Sequence, residues 1–171
     1  AFLFAAAVGI LIERTVIREV KSLTRLETAQ YSIEKVVTAE TGQGALGTLF
    51  GDKLLLVAHG DVIAGVDFAK MSDDDLRVDD KGRVTVILPE PEVFVATLDN
   101  QKSYIYDRQT GLLTKGDLNL ETQARQVAEI EIKKAALEDG ILDLARTNAQ
   151  NYLERLLRSL GYTEVIFVAA T

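Results

Sequence analysis

The stretch HGDVIAGVDFAKM, His59 to Met71, decides the architecture. It holds the chain's only histidine and its only methionine, with Gly60, Asp61, Gly65 and Asp67 between them. Rare residues gathered like this suggest a reactive centre, but the spacing points elsewhere. Val62, Ala64, Val66 and Phe68 fall at every second position, the period of a strand with one buried face. Gly60 opens that strand, and Gly65 marks a bend or a close approach by another backbone. Asp67 at the strand's end is placed to accept hydrogen bonds from loop amides. His59 and Asp61 share the opposite face, so a contact between them is geometrically open.

Outward from this strand, the pattern alternates between helix and sheet. Ile12, Val16, Val20, Leu23 and Leu26 recur at three- and four-residue spacing, which predicts a helix from Phe2 to Leu26. In AQYSIEKVVT the residues Tyr31, Ile33 and Val37 alternate with Ser32, Glu34 and Thr38, a strand with one wet face. Further strands are predicted in KLLLVA, RVTVILP, EVFVATL and SYIYD, the last followed by a turn at RQTG. Pro89 and Pro91 break the ladder between the second and third of these, making Pro89 a structural residue. VDDKGRV reads as a hairpin turn centred on Gly82.

From about Leu118 to Leu160 the period is helical again, with Asp117 or Asn119 as cap. The column Ala128, Ala135, Leu142, Ala149, Leu156 stays apolar at seven-residue steps across Gly140. One long helix bent at Gly140 fits this phase; the other reading is that EDG ends one helix and begins another. The Ala-rich column is either core or a seam for self-association. Glu121–Arg125, Glu129–Lys133 and Glu154–Arg158 have the favourable order for i,i+4 pairs. Gly161 ends the helix, with Leu157 and Tyr162 spaced for a Schellman contact. TEVIFV is a final strand, apolar on both faces and so expected in a covered position. The whole predicts an α+β fold: a mostly antiparallel sheet packed against an N-terminal helix (1–27) and a long C-terminal helix, with residues 28–171 as a single domain.

Composition narrows the chemistry. The chain has 171 residues, 47% of them hydrophobic and 26% charged, and a net charge of −7. That acidity argues against nucleic acid, which selects basic surfaces. The absence of cysteine removes disulfides, thiolate catalysis and Cys-based zinc sites. AFLFAAAVGILI at the start is twelve uncharged residues, short of the roughly 20 that span a bilayer. It fits the end of a membrane segment, a signal-peptide remnant or a buried helix.

Four local motifs carry residue types that could do chemistry. GQGALG places Gly42, Gly44 and Gly47 in the G-x-G-x-x-G pattern, but only TLFGD separates it from the next strand, too little for a nucleotide-binding helix. MSDDDLRVDD offers Asp73, Asp74 and Asp75 as cation ligands, yet Asp79 and Asp80 do not fit a calcium loop and Leu88 stands where its glutamate belongs. A solvated loop, with Ser72 and Asp75 forming a capped turn, is the preferred reading. Glu90 and Glu92 of LPEPE read as solvent-facing punctuation. His59 with Asp61 or Asp67 would form a base and its orienting partner, but no G-x-S-x-G elbow supplies a nucleophile.

SLTRLETAQYSIEKVV, LLLVAHGDVIAGVDFAKMSDDDLRV, VTVILPEPEVF, AALEDGILDLARTNAQNYLERLL and LLRSLGYTEVIF together resemble the family known as domain of unknown function 4230, over about 17–168. The resemblance implies a bacterial protein with one N-terminal membrane anchor and the domain beyond it, here placed outside the cytoplasm. It implies no catalytic residues; its motif centres on Gly60, Gly65 and Asp67, and His59 lies outside what members share. The leading expectation is a non-enzymatic, membrane-anchored interaction module that self-associates through residues 1–26 or the long helix and needs no cofactor. The alternative is a small-ligand-binding or hydrolytic domain with its site at His59, Asp61 and Asp67.

Overall fold

The computed structural model describes residues 15–42 and 47–168. The first twelve residues therefore lie outside the description, as does most of the predicted first helix. Its remaining part, α1 (15–22), buries Val16, Ile17 and Val20. The helix stops short of Leu26: Thr24 takes a positive φ of 51°, and strand β1 (Arg25–Thr41) begins at the next residue.

After a four-residue helical turn, α2 (Gly47–Phe50), the predicted strands at KLLLVA and HGDVIAGVD run as one strand of 16 residues, β2 (Asp52–Asp67). A single 3-10 turn (Phe68–Lys70) leads to β3 (Leu76–Val78), β4 (Arg83–Ile87), β5 (Glu92–Leu98) and β6 (Tyr104–Thr110). Helices α3 (Leu120–Glu138) and α4 (Ile141–Ser159) follow, then β7 (Glu164–Val168). The neighbours of β2 are β1, β5 and β6; β3, β4 and β7 form a second sheet in that order. The α+β expectation holds, with antiparallel pairing between β2 and β6 and between β3 and β4, and a parallel pair of β4 with β7.

The helical stretch expected over 118–160 is divided. Asp139 N–H donates back to Ala135, Gly140 N–H donates to Leu137, and Gly140 adopts φ 80°, a left-handed conformation that ends a helix. The apolar phase survives the break because both helices need a buried face, not because they are one rod.

Two compact units divide the chain: Ala1–Ala29 with Ala64–Phe94 and Leu142–Thr171, and Gln30–Ile63 with Val95–Ile141. In the first, the core joins Val16, Ile17 and Val20 of α1 to Val66, Phe68 and Met71. It continues through Leu76, Val84, Val86 and Leu88 to Ala149, Leu153 and Leu157 of α4. Thr28 is clamped to α4 twice, donating to the Ala145 carbonyl (2.9 Å) and accepting from Asn148 Nδ2 (2.8 Å). The α4 terminus has the expected Schellman form: Gly161 at φ 99°, with Tyr162 N–H donating to Leu157 (3.2 Å) and Gly161 N–H to Arg158 (3.0 Å).

Strand β7 departs from expectation. Among the described residues it is an edge strand paired with β4; Val165 and Phe167 meet the core while Ile166 and Val168 stay exposed. Hydrophobicity on both faces therefore did not mean coverage on both.

In the second unit, α3 buries Leu120, Ala124, Ala128, Ile132, Ala135 and Ala136. The alanines of the seven-residue column, Ala128 and Ala135 here and Ala149 in the first unit, are thus packed inside the chain. Strand β6 continues through the residues expected to turn, because Arg108 and Thr110 pair across to Leu54 and Asp52. The turn starts at Gly111.

Candidate functional site

His59 and Asp61 lie on β2, and the side chains beside them come from β1. His59 Nε2 stands 3.1 Å from Glu34 Oε2, and Ser32 Oγ donates to Asp61 Oδ1 at 2.5 Å. Where a His59–Asp61 contact was geometrically open, each instead has one acidic or hydroxyl partner drawn from the neighbouring strand's wet face.

The turn between β5 and β6 completes the group. Asp99 accepts from the amides of Gln101 (2.9 Å) and Lys102 (3.2 Å), and its carboxylate lies 3.0 Å from Lys102 Nζ. Hydrogen bonds from the Lys102 side chain and amide hold the Asp99 carboxyl below its usual value. Asp99 in turn, with a smaller contribution from Asp61, raises the Lys102 ammonium. Buried Ser103 fixes the turn to β2: its Oγ accepts from His59 N–H (3.0 Å) and donates to the Asp99 carbonyl (2.7 Å).

Behind this face, Gly60 admits α3. A Cβ built there would lie 2.6 Å from the Thr97 carbonyl oxygen and 2.9 Å from Ile132 Cδ1. Glycine at 60 is thus required by packing; it does not open the strand, as its place in the sequence suggested, but lies in the middle of β2.

Ser32, Glu34, His59, Asp61, Asp99 and Lys102 border a shallow cleft of about 120 Å³. That is room for about four waters, well under the roughly 300–1,000 Å³ of small-molecule sites. Nor does the geometry build a nucleophile, since the Ser32 hydroxyl is spent on Asp61 and His59 faces Glu34.

Asp67, the third candidate, is a cap in the first unit. Its Oδ1 accepts from Ala69 N–H (3.1 Å) at the start of the 3-10 turn. Asp67→Ala is expected to cost about 1 kcal/mol of stability, the usual loss at an N-cap, measured as a lower urea midpoint. An unchanged midpoint would overturn the capping role.

Asp73, Asp74 and Asp75, the candidate cation ligands, are each engaged. Asp73 meets Lys21 Nζ (3.1 Å), Asp74 lies 3.7 Å from Arg77, and Asp75 accepts from Ser72 N–H (2.6 Å), the predicted capped turn. Among the described residues no three acidic or histidine side chains converge to hold a metal. Glu90 and Glu92 pair with Arg146 and Lys70.

One ionic cluster escaped the sequence reading. Asp52, 2% exposed, accepts from Arg108 Nη2 (2.6 Å), Arg108 Nε (3.3 Å), Thr110 Oγ1 (3.1 Å) and Asp117 N–H (2.8 Å). It is fully satisfied and so structural. Its only sequence signal was a carboxylate opening an apolar strand.

Comparison with curated proteins and with solved structures finds no match. The family model described as protein of unknown function (DUF4230) matches residues 18–167, nearly the whole chain, with the glycines, Asp67 and helix terminus just described inside it; the chain belongs to that family.

Proposed function

We propose that the chain is a non-enzymatic interaction module that pairs with a second copy of itself through the outer stripe of α3. The observation that carries this reading is a second apolar stripe on a helix whose inner face is already filled. Val127, Ile130 and Leu137 are 44%, 65% and 42% exposed. With Lys134 they occupy successive a and d positions of a heptad. Large apolar side chains aligned on one exposed face favour association, whereas scattered ones would carry no such meaning.

Charge selects the orientation. A parallel pair sets Lys133 (position g) against Glu138 (position e) of the other copy. An antiparallel pair centred on the stripe sets Glu131 against Glu131 and Lys133 against Lys133. Lys134 at a core a position favours a defined register at some cost in stability.

The pairing is expected to be weak. Fully burying such a side chain contributes about 1.5–3 kcal/mol, and these three are already half covered, while association costs about 4–15 kcal/mol. A tether that concentrates the chain on a membrane would offset this. The proposal includes such a tether in residues 1–12, which lie outside the description. Among the described residues no helix is long and apolar enough to cross a bilayer.

The absence of cysteine makes the test direct. In a parallel pair the two 130 positions face each other within disulfide reach, about 4.4–6.8 Å between Cα atoms. Ile130→Cys should form a disulfide dimer faster than Glu129→Cys, which points off the stripe. Adding Val127→Ser and Leu137→Ser should remove the difference. Equal cross-linking at 129 and 130 would reject the pairing.

A further inference from the structure

Two segments of the second unit, the end of α2 and the turn at 111–114, meet and present an apolar tip. Gly111 N–H donates to Gly51 (2.7 Å), and Leu113 N–H donates to Leu49 (2.8 Å). Thr114 N–H closes a turn onto Gly111 (3.2 Å). These bonds hold out Phe50, Leu112 and Leu113, which are 52%, 86% and 66% exposed. Asp52, which follows Gly51, and Thr110, which precedes Gly111, are hydrogen-bonded to each other in the Asp52–Arg108 cluster, which fixes the ends of both segments.

The sequence of the tip carries no charge. Residues 47–51 (GTLFG) and 111–114 (GLLT) contain neither acid nor base. Asp52 is neutralised by Arg108, and the Asp117 carboxylate is engaged by Asn119 N–H (2.8 Å). Exposed Lys53 and Lys115 flank the tip in a chain whose net charge is −7.

We propose that this tip docks into a lipid surface, with Phe50, Leu112 and Leu113 entering the acyl boundary and Lys53 and Lys115 meeting anionic headgroups. A protein partner would need a complementary groove for side chains projecting from two separate turns, whereas lipid accommodates them individually. Apolar insertion flanked by lysine is the combination that interfacial binding rewards, and three side chains of this size give weak, reversible partition. This docking is independent of the α3 pairing and uses different residues.

The chain has no tryptophan, so Leu112→Trp introduces a single reporter at the tip. With vesicles of phosphatidylcholine and phosphatidylserine its emission should shift to the blue and be quenched by acyl-brominated lipid. Val36→Trp, at an exposed position on β1, should not respond. Adding Phe50→Ser and Leu113→Ser to Leu112→Trp should weaken partition about tenfold or more, and Lys53→Glu with Lys115→Glu should reduce binding only to the anionic vesicles. A Leu112→Trp signal indifferent to vesicles would overturn the proposal. So would a blue shift that grows with protein concentration in the absence of lipid, which would assign the tip to a second copy. The cysteine test of α3 uses no lipid, so either proposal can fail alone.

Discussion

Gly65→Ala is expected to be the most destabilising single methyl group that can be added to this chain's first unit. A Cβ at residue 65 would stand 2.0 Å from the Leu26 carbonyl oxygen, 2.8 Å from the Leu26 carbonyl carbon and 2.7 Å from Phe94 Cε2. Two of these three atoms are backbone, so no side-chain rotation removes the conflict. Phe94 also carries the Arg25 guanidinium over its ring at 5.2 Å, so turning the ring aside would disturb that contact as well. β1 would have to move away from β2 where Leu26 also packs against the core. Overpacking a core costs about 1–3 kcal/mol where neighbours can adjust; here the expected loss is about 3 kcal/mol or more, read as a lowered urea midpoint. At Gly60 one of the two nearest groups is the flexible end of Ile132, a milder conflict. A Gly65→Ala protein within about 1 kcal/mol of wild type, ordinary for a tolerated substitution, would show that the strands separate freely.

Much of this was legible because it depends on period and on single residues. Val62, Ala64, Val66 and Phe68 are all fully buried, as their alternation required. In the sequence Gly65 marks either a bend or a close approach, and the structure shows the close approach; Asp67 caps a turn and Gly161 ends α4 in a Schellman form, as local chemistry predicts. What escaped depends on cross-strand neighbours. Nothing in the order of residues places Glu34 beside His59, or Arg108 beside Asp52, because pairing between distant segments sets those contacts. The division at Gly140 was open for a different reason: a glycine in a helical pattern either bends or ends the helix, and periodicity alone serves both. Strand β7 misled because hydrophobic residues report what a face tolerates, not whether another layer covers it.

Asp52→Asn is the second large effect expected, and its pH dependence identifies the cause. The carboxylate accepts four hydrogen bonds in a site 2% exposed. Asparagine keeps the shape but turns an acceptor into an NH2 group, which meets Arg108 as donor against donor in either orientation, at Nε beside the Thr110 hydroxyl or at Nη2 beside the Asp117 amide. Breaking a fully buried ion pair costs about 3–5 kcal/mol. The Arg108 side chain remains 31% exposed and can recover part of its hydration, so a loss of about 2–3 kcal/mol at neutral pH is expected. The bond from Arg108, helped by the Asp117 amide and Thr110 hydroxyl and opposed by burial, holds the Asp52 carboxyl below its ordinary value. A depressed folded-state value means the stabilisation is complete above the unfolded carboxylate value of about 3.9 and disappears as pH falls through the folded one. The gap between wild type and Asp52→Asn in urea unfolding should therefore be widest near neutrality and narrow below about pH 4. A gap of constant size across that range would trace the loss to shape rather than charge, and the ion pair would no longer explain why an aspartate opens an apolar strand.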